Sequence, residues 1–330
     1  MTGAPDQSPP DSAVSRRRFV AGAGGAAFAV ALGGFLFSRN LYAQSEQSCP
    51  PAHGASGEGI GQRGAKISFS RHGSGPPILL LHAGGLSRRI WDPVVEILAE
   101  RYDVLVPDLP GFGQSLPLAA TPNIANFTGA VASWLREIGV EWPHVVGNSF
   151  GGAIALELGF RGAARSVIAL SPIGFWNAVE QVYTYVVLAT AYSIARSLPL
   201  LTTVMTNSGH RPLFLGVFFA RPDDLPGDQV GCALEDIRRS HAFLEALGAC
   251  SSYRVREQQT DIPVTVAWGV DERMLIGPQH RRARRILPGA THILLPRCGH
   301  VCMADDPDLV AATIEKAVLA AAQAGSNRMG

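Results

Sequence analysis

The sequence has little charge of either sign. Lys and Arg number 28 and Asp and Glu number 27 among 330 residues, so charged residues make up 17% of the chain and the formal net charge is +1. Soluble domains usually carry about 25% charged residues. Without an excess of basic residues the chain has no field suited to nucleic acid, and we predict no nucleic-acid partner. The hydrophobic share of 47% instead suits one large domain with a sizeable core.

Cysteine is scarce and odd in number. The five residues are Cys49, Cys232, Cys250, Cys298 and Cys302. A bridge between Cys232 and Cys250 is one pairing that the sequence leaves open. Two cysteines flank His300, but Cys-x-His-x-Cys spacing without a second cluster is poor for zinc, so we predict no metal. No Gly-rich phosphate loop follows a strand in the required pattern, and we predict no cofactor.

The N-terminal segment has the order of an export signal. Residues 15–20 read Ser-Arg-Arg-Arg-Phe-Val, and residues 21–37 are apolar apart from glycine. A charged region before an apolar one is typical of secretory signals, and the arginine motif resembles the twin-arginine signal. We predict export to the periplasm or the medium, with residues 1–43 either removed by cleavage after Ala43 or kept as a membrane anchor. Residues 44–64 are rich in Ser, Gly and Pro and predict a linker.

Short apolar runs alternate with helical patterns from Lys66 onward. The runs lie at residues 78–81, 104–106, 145–146, 167–170, 264–268 and 292–295. The helical patterns lie at residues 93–100, 126–138, 153–160, 279–287 and 309–322. This alternation predicts the α/β class, a mostly parallel sheet with helices on both faces, over residues 65–172 and 261–330.

Residues 173–260 interrupt the alternation without a convincing strand, and we predict a helical lid there. Two apolar stripes recur at helical spacing: Val179, Val182, Tyr183, Val186 and Val187, then Leu234, Ile237, Leu244 and Leu247. A lid inserted between strands would cover the strand ends, where open α/β sheets bind ligands. We expect the first stripe and the apolar segment 213–219 to roof the pocket of a small-molecule substrate and favour an apolar group.

A pentapeptide at the end of the run 145–146 carries the clearest chemical signal. It reads Gly147-Asn148-Ser149-Phe150-Gly151 and directly precedes a helical pattern. G-x-S-x-G between a strand and a helix is typical of a nucleophile elbow, whose turn is too tight for side chains at either glycine. The Phe150 amide would lie at the helix N-terminus, where N–H groups favour an oxyanion. We predict Ser149 as nucleophile and Phe150 as one oxyanion donor.

From Lys66 to the C-terminus the chain resembles the α/β-hydrolase superfamily. The elbow carries the resemblance together with the run Pro-Asp-Leu-Pro-Gly-Phe-Gly-Gln-Ser at residues 107–115. The resemblance implies the α/β-hydrolase fold and a second oxyanion donor in the loop after the first parallel strand. Gly84 is the predicted donor and Ala83 the alternative, while His82 is expected to order the loop.

The same resemblance implies the base and the acid of a catalytic triad. His300 follows the last predicted strand and fits the base, since the chain order in this fold is Ser, acid, His. The acid usually lies three residues after a glycine that ends the preceding strand, here Gly269. That register indicates Glu272, and Asp271, one residue earlier, remains the alternative.

The predicted function is hydrolysis of a carboxylic ester, thioester or lactone of a small, largely apolar substrate through an acyl-enzyme. Asn148 resembles the corresponding residue of hydrolases that cleave carbon–carbon bonds of ring-fission products. Those enzymes share a Gly-Pro-Gly oxyanion loop and a Trp after the His, where this chain has Ala83-Gly84-Gly85 and Val301. Carbon–carbon hydrolysis, acyl transfer by the same triad and a non-catalytic scaffold that binds a ligand are the alternatives.

Overall fold

The computed structural model describes residues 55–61, 65–197, 205, 209–240, 242–258 and 260–329. The strands are β1 Ala55–Gly61, β2 Ala65–His72, β3 Pro77–Leu81, β4 Asp103–Pro107, β5 His144–Asn148, β6 Ser166–Leu170, β7 Val264–Gly269 and β8 Thr291–Leu295. They form one sheet in the order β1-β2-β4-β3-β5-β6-β7-β8. The pairs β1–β2 and β2–β4 are antiparallel, and the other pairs are parallel.

Helices connect the parallel strands. They are α1 Asp92–Leu98, α2 Ile124–Glu137, α3 Phe150–Phe160, α4 Ala178–Ser197, α5 Arg211–Leu215, α6 Gly227–Arg239, α7 Phe243–Cys250, α8 Gln279–Ile286, α9 Cys302–Asp305 and α10 Pro307–Met329. A 3₁₀ turn at Arg88–Trp91 precedes α1. Helix α2 begins where the Asn123 side chain accepts the Asn126 N–H at 2.8 Å, a standard N-terminal cap.

The sheet separates two hydrophobic clusters, because successive side chains of a strand point to opposite faces. Leu79 and Leu81 belong to one, the Leu79 cluster, which helices α2 and α3 cover. Ile78 and Leu80 belong to the other, the Ile78 cluster, which α1 and α10 cover. All four side chains are fully buried. The predicted α/β class, with a mostly parallel sheet between two helical layers, is confirmed.

The N-terminal region departs from the sequence-based expectation. Strand β1 lies inside residues 44–64, for which the composition predicts a linker, and it pairs with β2 along its whole length. The predicted signal, residues 1–43, lies outside the described residues. Among the residues that the structure describes, no helix combines the length and the apolar character that a membrane crossing requires.

Helices α4, α5, α6 and α7 lie between β6 and β7, in the segment predicted as a lid. The orientation predicted for the first stripe is wrong: Val179, Val182 and Val186 are 75%, 62% and 56% exposed. The face of α4 that packs inward instead carries Glu180, Thr184, Tyr192 and Ala195. Spacing of three and four residues identifies a helix face, but it does not decide which face is buried when both carry apolar residues.

The bridge between two lid cysteines that the sequence leaves open does not form. Cys232 is disulfide-bonded, whereas Cys250 is a buried free thiol, so the two do not bridge each other. Cys298 and Cys302, on either side of His300, are also buried free thiols. Burial raises the pKa of Cys302 well above its usual value, which keeps this thiol protonated and unreactive.

Candidate active site

The turn between β5 and α3 holds Ser149 in a strained conformation. Its φ of 56° and ψ of −111° lie outside the regions that side chains favour, at a cost of about 1–3 kcal/mol. A Cβ at Gly147 would lie 2.1 Å from the Gly151 carbonyl oxygen, and one at Gly151 would lie 2.4 Å from the Leu81 carbonyl oxygen. Both positions therefore require glycine, as the pentapeptide motif predicts.

Asn148 fixes the elbow to the neighbouring strand and to the histidine loop. Its side chain is fully buried, and its Nδ2 donates to the Leu170 carbonyl at 3.1 Å and to the His300 carbonyl at 2.9 Å. The sequence marks Asn148 only by its position before the nucleophile. Its contact with a residue 152 positions later depends on the assembled sheet.

His300 and Glu272 form a buried pair. His300 Nδ1 lies 2.9 Å from Glu272 Oε2, and the two side chains are 6% and 8% exposed. The other carboxylate oxygen accepts the N–H groups of Met274 and Leu275 at 2.9 and 3.0 Å. Burial by itself would raise the pKa of Glu272, but the charge and hydrogen bond of His300, together with the Leu275 N–H, hold it below its usual value.

The two candidate acids are therefore placed differently. Glu272 turns its carboxylate inward to His300, whereas Asp271 is partly exposed and donates its backbone N–H to the Cys298 carbonyl at 2.9 Å. Within the described residues no hydrogen bond joins the Asp271 carboxylate to His300, and none joins Ser149 to His300. In enzymes without bound substrate the contact between nucleophile and base is often long.

The predicted oxyanion donors lie beside the elbow. Ala83, Gly84 and Phe150 line the same cavity as Ser149. A Cβ added to Gly84 would lie 3.6 Å from the Phe150 Cβ, so the loop after β3 is adjacent to the start of α3. The Phe150 N–H belongs to the first turn of α3, where N–H groups have no partner within the helix.

His82 orders this loop and takes no place in the cavity lining. It is fully buried, accepts the Leu109 N–H at Nε2 at 2.8 Å, and holds the Ala83 carbonyl 2.8 Å from Nδ1. Because Nε2 accepts a hydrogen bond, the ring proton must be on Nδ1. Burial also lowers the pKa of His82, which keeps the ring neutral.

A buried ion pair that the sequence does not reveal supports the same loop. Arg88 Nη1 lies 2.6 Å from Asp108 Oδ2, with the side chains 5% and 2% exposed. Asp108 also accepts the backbone N–H groups of Arg88 and Gln114, at 2.8 and 2.9 Å. The pair therefore joins the loops that follow β3 and β4, which are 20 residues apart in the chain.

The lid holds the histidine loop in place. Asp305 accepts the N–H of Ala220 in the lid at 3.0 Å and the N–H of Gly299 at 2.8 Å. The His300 N–H donates to the Phe218 carbonyl of the lid at 2.8 Å. The backbone of His300 is thus fixed by the lid on one side and by Asn148 on the other.

A cavity of about 150 Å³ lies between the sheet edge and the lid. Most of its lining is apolar, and none of the described lining residues is Asp, Glu, Lys or Arg. The lining side chains that carry nitrogen or oxygen are Ser149, Trp176, Thr184, Tyr192, Gln229 and His300. Among the described residues no cluster of His, Cys, Asp and Glu has the arrangement of a metal site.

Comparison with known proteins identifies relatives over most of the chain. Lipase 1 of Psychrobacter immobilis is 27% identical over 266 residues, which cover 74% of this chain and 78% of the lipase. The dihydrolipoyllysine-residue acetyltransferase component of the acetoin cleaving system of Cupriavidus necator is 39% identical over 124 residues. That match covers 37% of this chain and only 33% of the relative, so this chain spans about a third of its length.

Among solved structures, the 2-hydroxy-6-oxo-6-phenylhexa-2,4-dienoate hydrolase of Rhodococcus sp. strain RHA1 has a TM-score of 0.66 at 23% identity. The superposition covers 80% of this chain and 99% of that one, which shows a shared fold. The model of the alpha/beta hydrolase family matches residues 78–313, well over half of the chain. This chain therefore belongs to the alpha/beta hydrolase family.

Proposed function

We propose that the protein is a serine hydrolase that cleaves carboxylic esters of small, largely apolar substrates through an acyl-enzyme. Ser149 attacks the ester carbonyl while His300 takes its proton, and Glu272 stabilises the imidazolium that forms. The amides of Gly84 and Phe150 hold the oxyanion. His300 then protonates the leaving alcohol, and water releases the acid in a second attack at the same carbon.

The observation that carries this proposal is the buried His300–Glu272 contact of 2.9 Å beside a strained serine in the same cavity. Three separate loops, after β5, β7 and β8, supply these groups, and Asn148 connects the serine loop to the histidine loop. A scaffold that only binds a ligand would have no need of a buried carboxylate on His300 or of backbone strain at Ser149.

The cavity favours an ester over the substrate of a carbon–carbon hydrolase. A dienoate, which the Rhodococcus relative is named for, carries a carboxylate that needs a cation or several donors. The described lining offers no Lys or Arg to such a group. An uncharged acyl chain needs no such partner. The relative named a lipase supports hydrolysis of an ester bond.

A fluorophosphonate probe tests the nucleophile. We expect wild type to be labelled and to hydrolyse p-nitrophenyl butyrate, and Ser149→Ala to lose both while its melting temperature stays near that of wild type. Ser193→Ala removes an exposed lid hydroxyl and is the matched control, which should keep both activities. Labelling that persists in Ser149→Ala would refute the assignment.

We also propose that the chain is exported through its twin-arginine motif. Replacing Arg16, Arg17 and Arg18 with Lys keeps the charge and removes the guanidinium groups that the receptor reads. The expected result is retention of the variant inside the cell, measured by fractionation and immunoblotting. Normal export of the Lys variant would contradict the proposal.

A further inference from the structure

The apolar lining of the cavity divides between the two faces of the sheet. Phe243 and Leu247, on α7, belong to the Leu79 cluster, whereas Val230 and Leu234, on α6, belong to the Ile78 cluster. Ile237, near the end of α6, packs against both clusters. The apolar lining of one cavity therefore consists of two groups of residues, called here its two parts, and α7 contributes to one and α6 to the other.

Ser149 lies at the boundary of the two parts. It follows β5, which has strands on both sides in the middle of the sheet, and it lies at the carboxyl edge where the two faces meet. An ester carbonyl placed on Ser149 would have one part of the cavity on each side. Neither part carries a charged group among its described residues.

The position of His300 gives the substrate a direction. Val301 and Ala304, which follow it, line the cavity and pack with the Ile78 cluster. Phe218, whose carbonyl accepts the His300 N–H, packs with that cluster too. Because the base must hand its proton to the leaving alcohol, the alcohol oxygen lies on the His300 side.

We propose, on the premise that Ser149 is the nucleophile of an ester hydrolase, that the cavity binds esters with apolar chains on both sides of the carbonyl. The acyl chain lies against the Leu79 cluster, below α7. The alcohol chain lies against the Ile78 cluster, below α6. The substrate class is thus an alkyl ester of an aliphatic acid, with binding energy drawn from both chains.

Two ester series test the two parts separately. One varies the acid, with ethyl butyrate, hexanoate and octanoate, and the other varies the alcohol, with butyl, hexyl and octyl acetate. A pH-stat gives kcat/KM for each ester. In wild type we expect kcat/KM to rise about fourfold per methylene in both series until each part is full.

A matched pair of substitutions assigns each chain to its part. Ala246 lines the cavity from α7 and Ala233 from α6, and Ala→Leu adds the same volume at either site. Ala246→Leu should lower kcat/KM for the longest acids by about tenfold or more, and Ala233→Leu should do so for the longest alcohols. Each variant should leave the other series within about threefold of wild type. Ala→Val at the same sites repeats the test if Leu lowers the melting temperature.

Three results would overturn the proposal: a rise in only one series, the same series affected by both variants, or the two effects exchanged. Fluorophosphonate labelling separates these failures from failure of the proposed function. If wild type is labelled on Ser149 but gives any of these results, the assignment of the nucleophile stands and the two-sided pocket is wrong. If wild type is not labelled, the premise that Ser149 is the nucleophile is wrong, and the proposal fails with it.

Discussion

Asp236 on the lid helix α6 makes a contact whose strength depends on pH. Its Oδ2 accepts the Ser87 hydroxyl at 2.5 Å, next to the oxyanion loop, and its Oδ1 lies 3.5 Å from Arg89 Nη2. Burial raises the pKa of Asp236 from 3.8 to about 6, although the Ser87 hydrogen bond and the charge of Arg89 oppose the rise. The nearby carboxylates of Asp108 and Glu235 add to the increase.

The direction of the effect follows from the raised pKa. The folded protein holds this proton more tightly than the unfolded chain, so the free energy of unfolding falls as the pH rises from about 4 to about 6 and stays lower above. About two pKa units correspond to about 3 kcal/mol in the limit of full burial. Asp236→Asn stays uncharged and can keep the Ser87 bond through its amide oxygen. We expect it to stabilise the fold by about 2 kcal/mol at pH 8 and to change it little at pH 4.

Thermal unfolding at pH 4 and pH 8 measures this difference. A gain of about 2 kcal/mol should raise the melting temperature at pH 8 by about 4–8 °C. Asp228→Asn removes an exposed carboxylate from the same helix and should give no such difference between the two pH values. Equal shifts at both pH values, or a loss of stability at pH 8, would show that the ionised carboxylate of Asp236 is not a net cost to the fold.

Three further predictions concern the site. Glu272→Gln should lower kcat for p-nitrophenyl butyrate by up to about 10⁴, because the amide carries no charge to stabilise the imidazolium and favours the wrong tautomer of His300. Asp271→Asn should stay within about threefold, and the reverse ranking would transfer the acid role. Asn148→Ala should lower kcat about tenfold with KM nearly unchanged, since it frees the His300 carbonyl, and a change confined to KM would contradict this. Gly151→Ala should lower the melting temperature or prevent folding, because its Cβ would lie 2.4 Å from a strand carbonyl, and soluble, fully active protein would refute that steric argument.

Strands β3 to β7 were predictable because each buries both faces and therefore forms a short, continuous apolar run. The edge strand β8 carries a similar run, although Leu294 is 52% exposed. The antiparallel strands β1 and β2 have no such run, so this signal does not mark them. Strand β2 alternates instead, with Ile67 fully buried and Lys66 exposed, a period of two that could have been found. Strand β1 has three glycines among its seven residues, and its pairing with β2 gives it an extended form that its composition does not favour.

The residues of the site also differ in whether the sequence alone could predict them. Ser149 was identifiable because strand, turn and helix are contiguous in the sequence, and His300 by its place after the last strand. Asp108 and Asp305 were not identifiable, since their partners Arg88 and Ala220 lie 20 and 85 positions away. Groups that support the loops of an active site come from distant segments, and only the assembled fold shows which segments meet.

The orientation of helix α4 shows how polar contacts can decide which apolar face is buried. Its first turn places Glu180 against Arg282 of α8, an ion pair between partly buried side chains. Separating that pair to bury the valine stripe would leave a charge without its partner, at a cost of several kcal/mol. Thr184, one turn after Glu180, and Tyr192, two turns further on, are buried as well, and both line the cavity. The ion pair between Glu180 and Arg282 therefore determines which face of α4 packs inward, and the valine stripe faces outward.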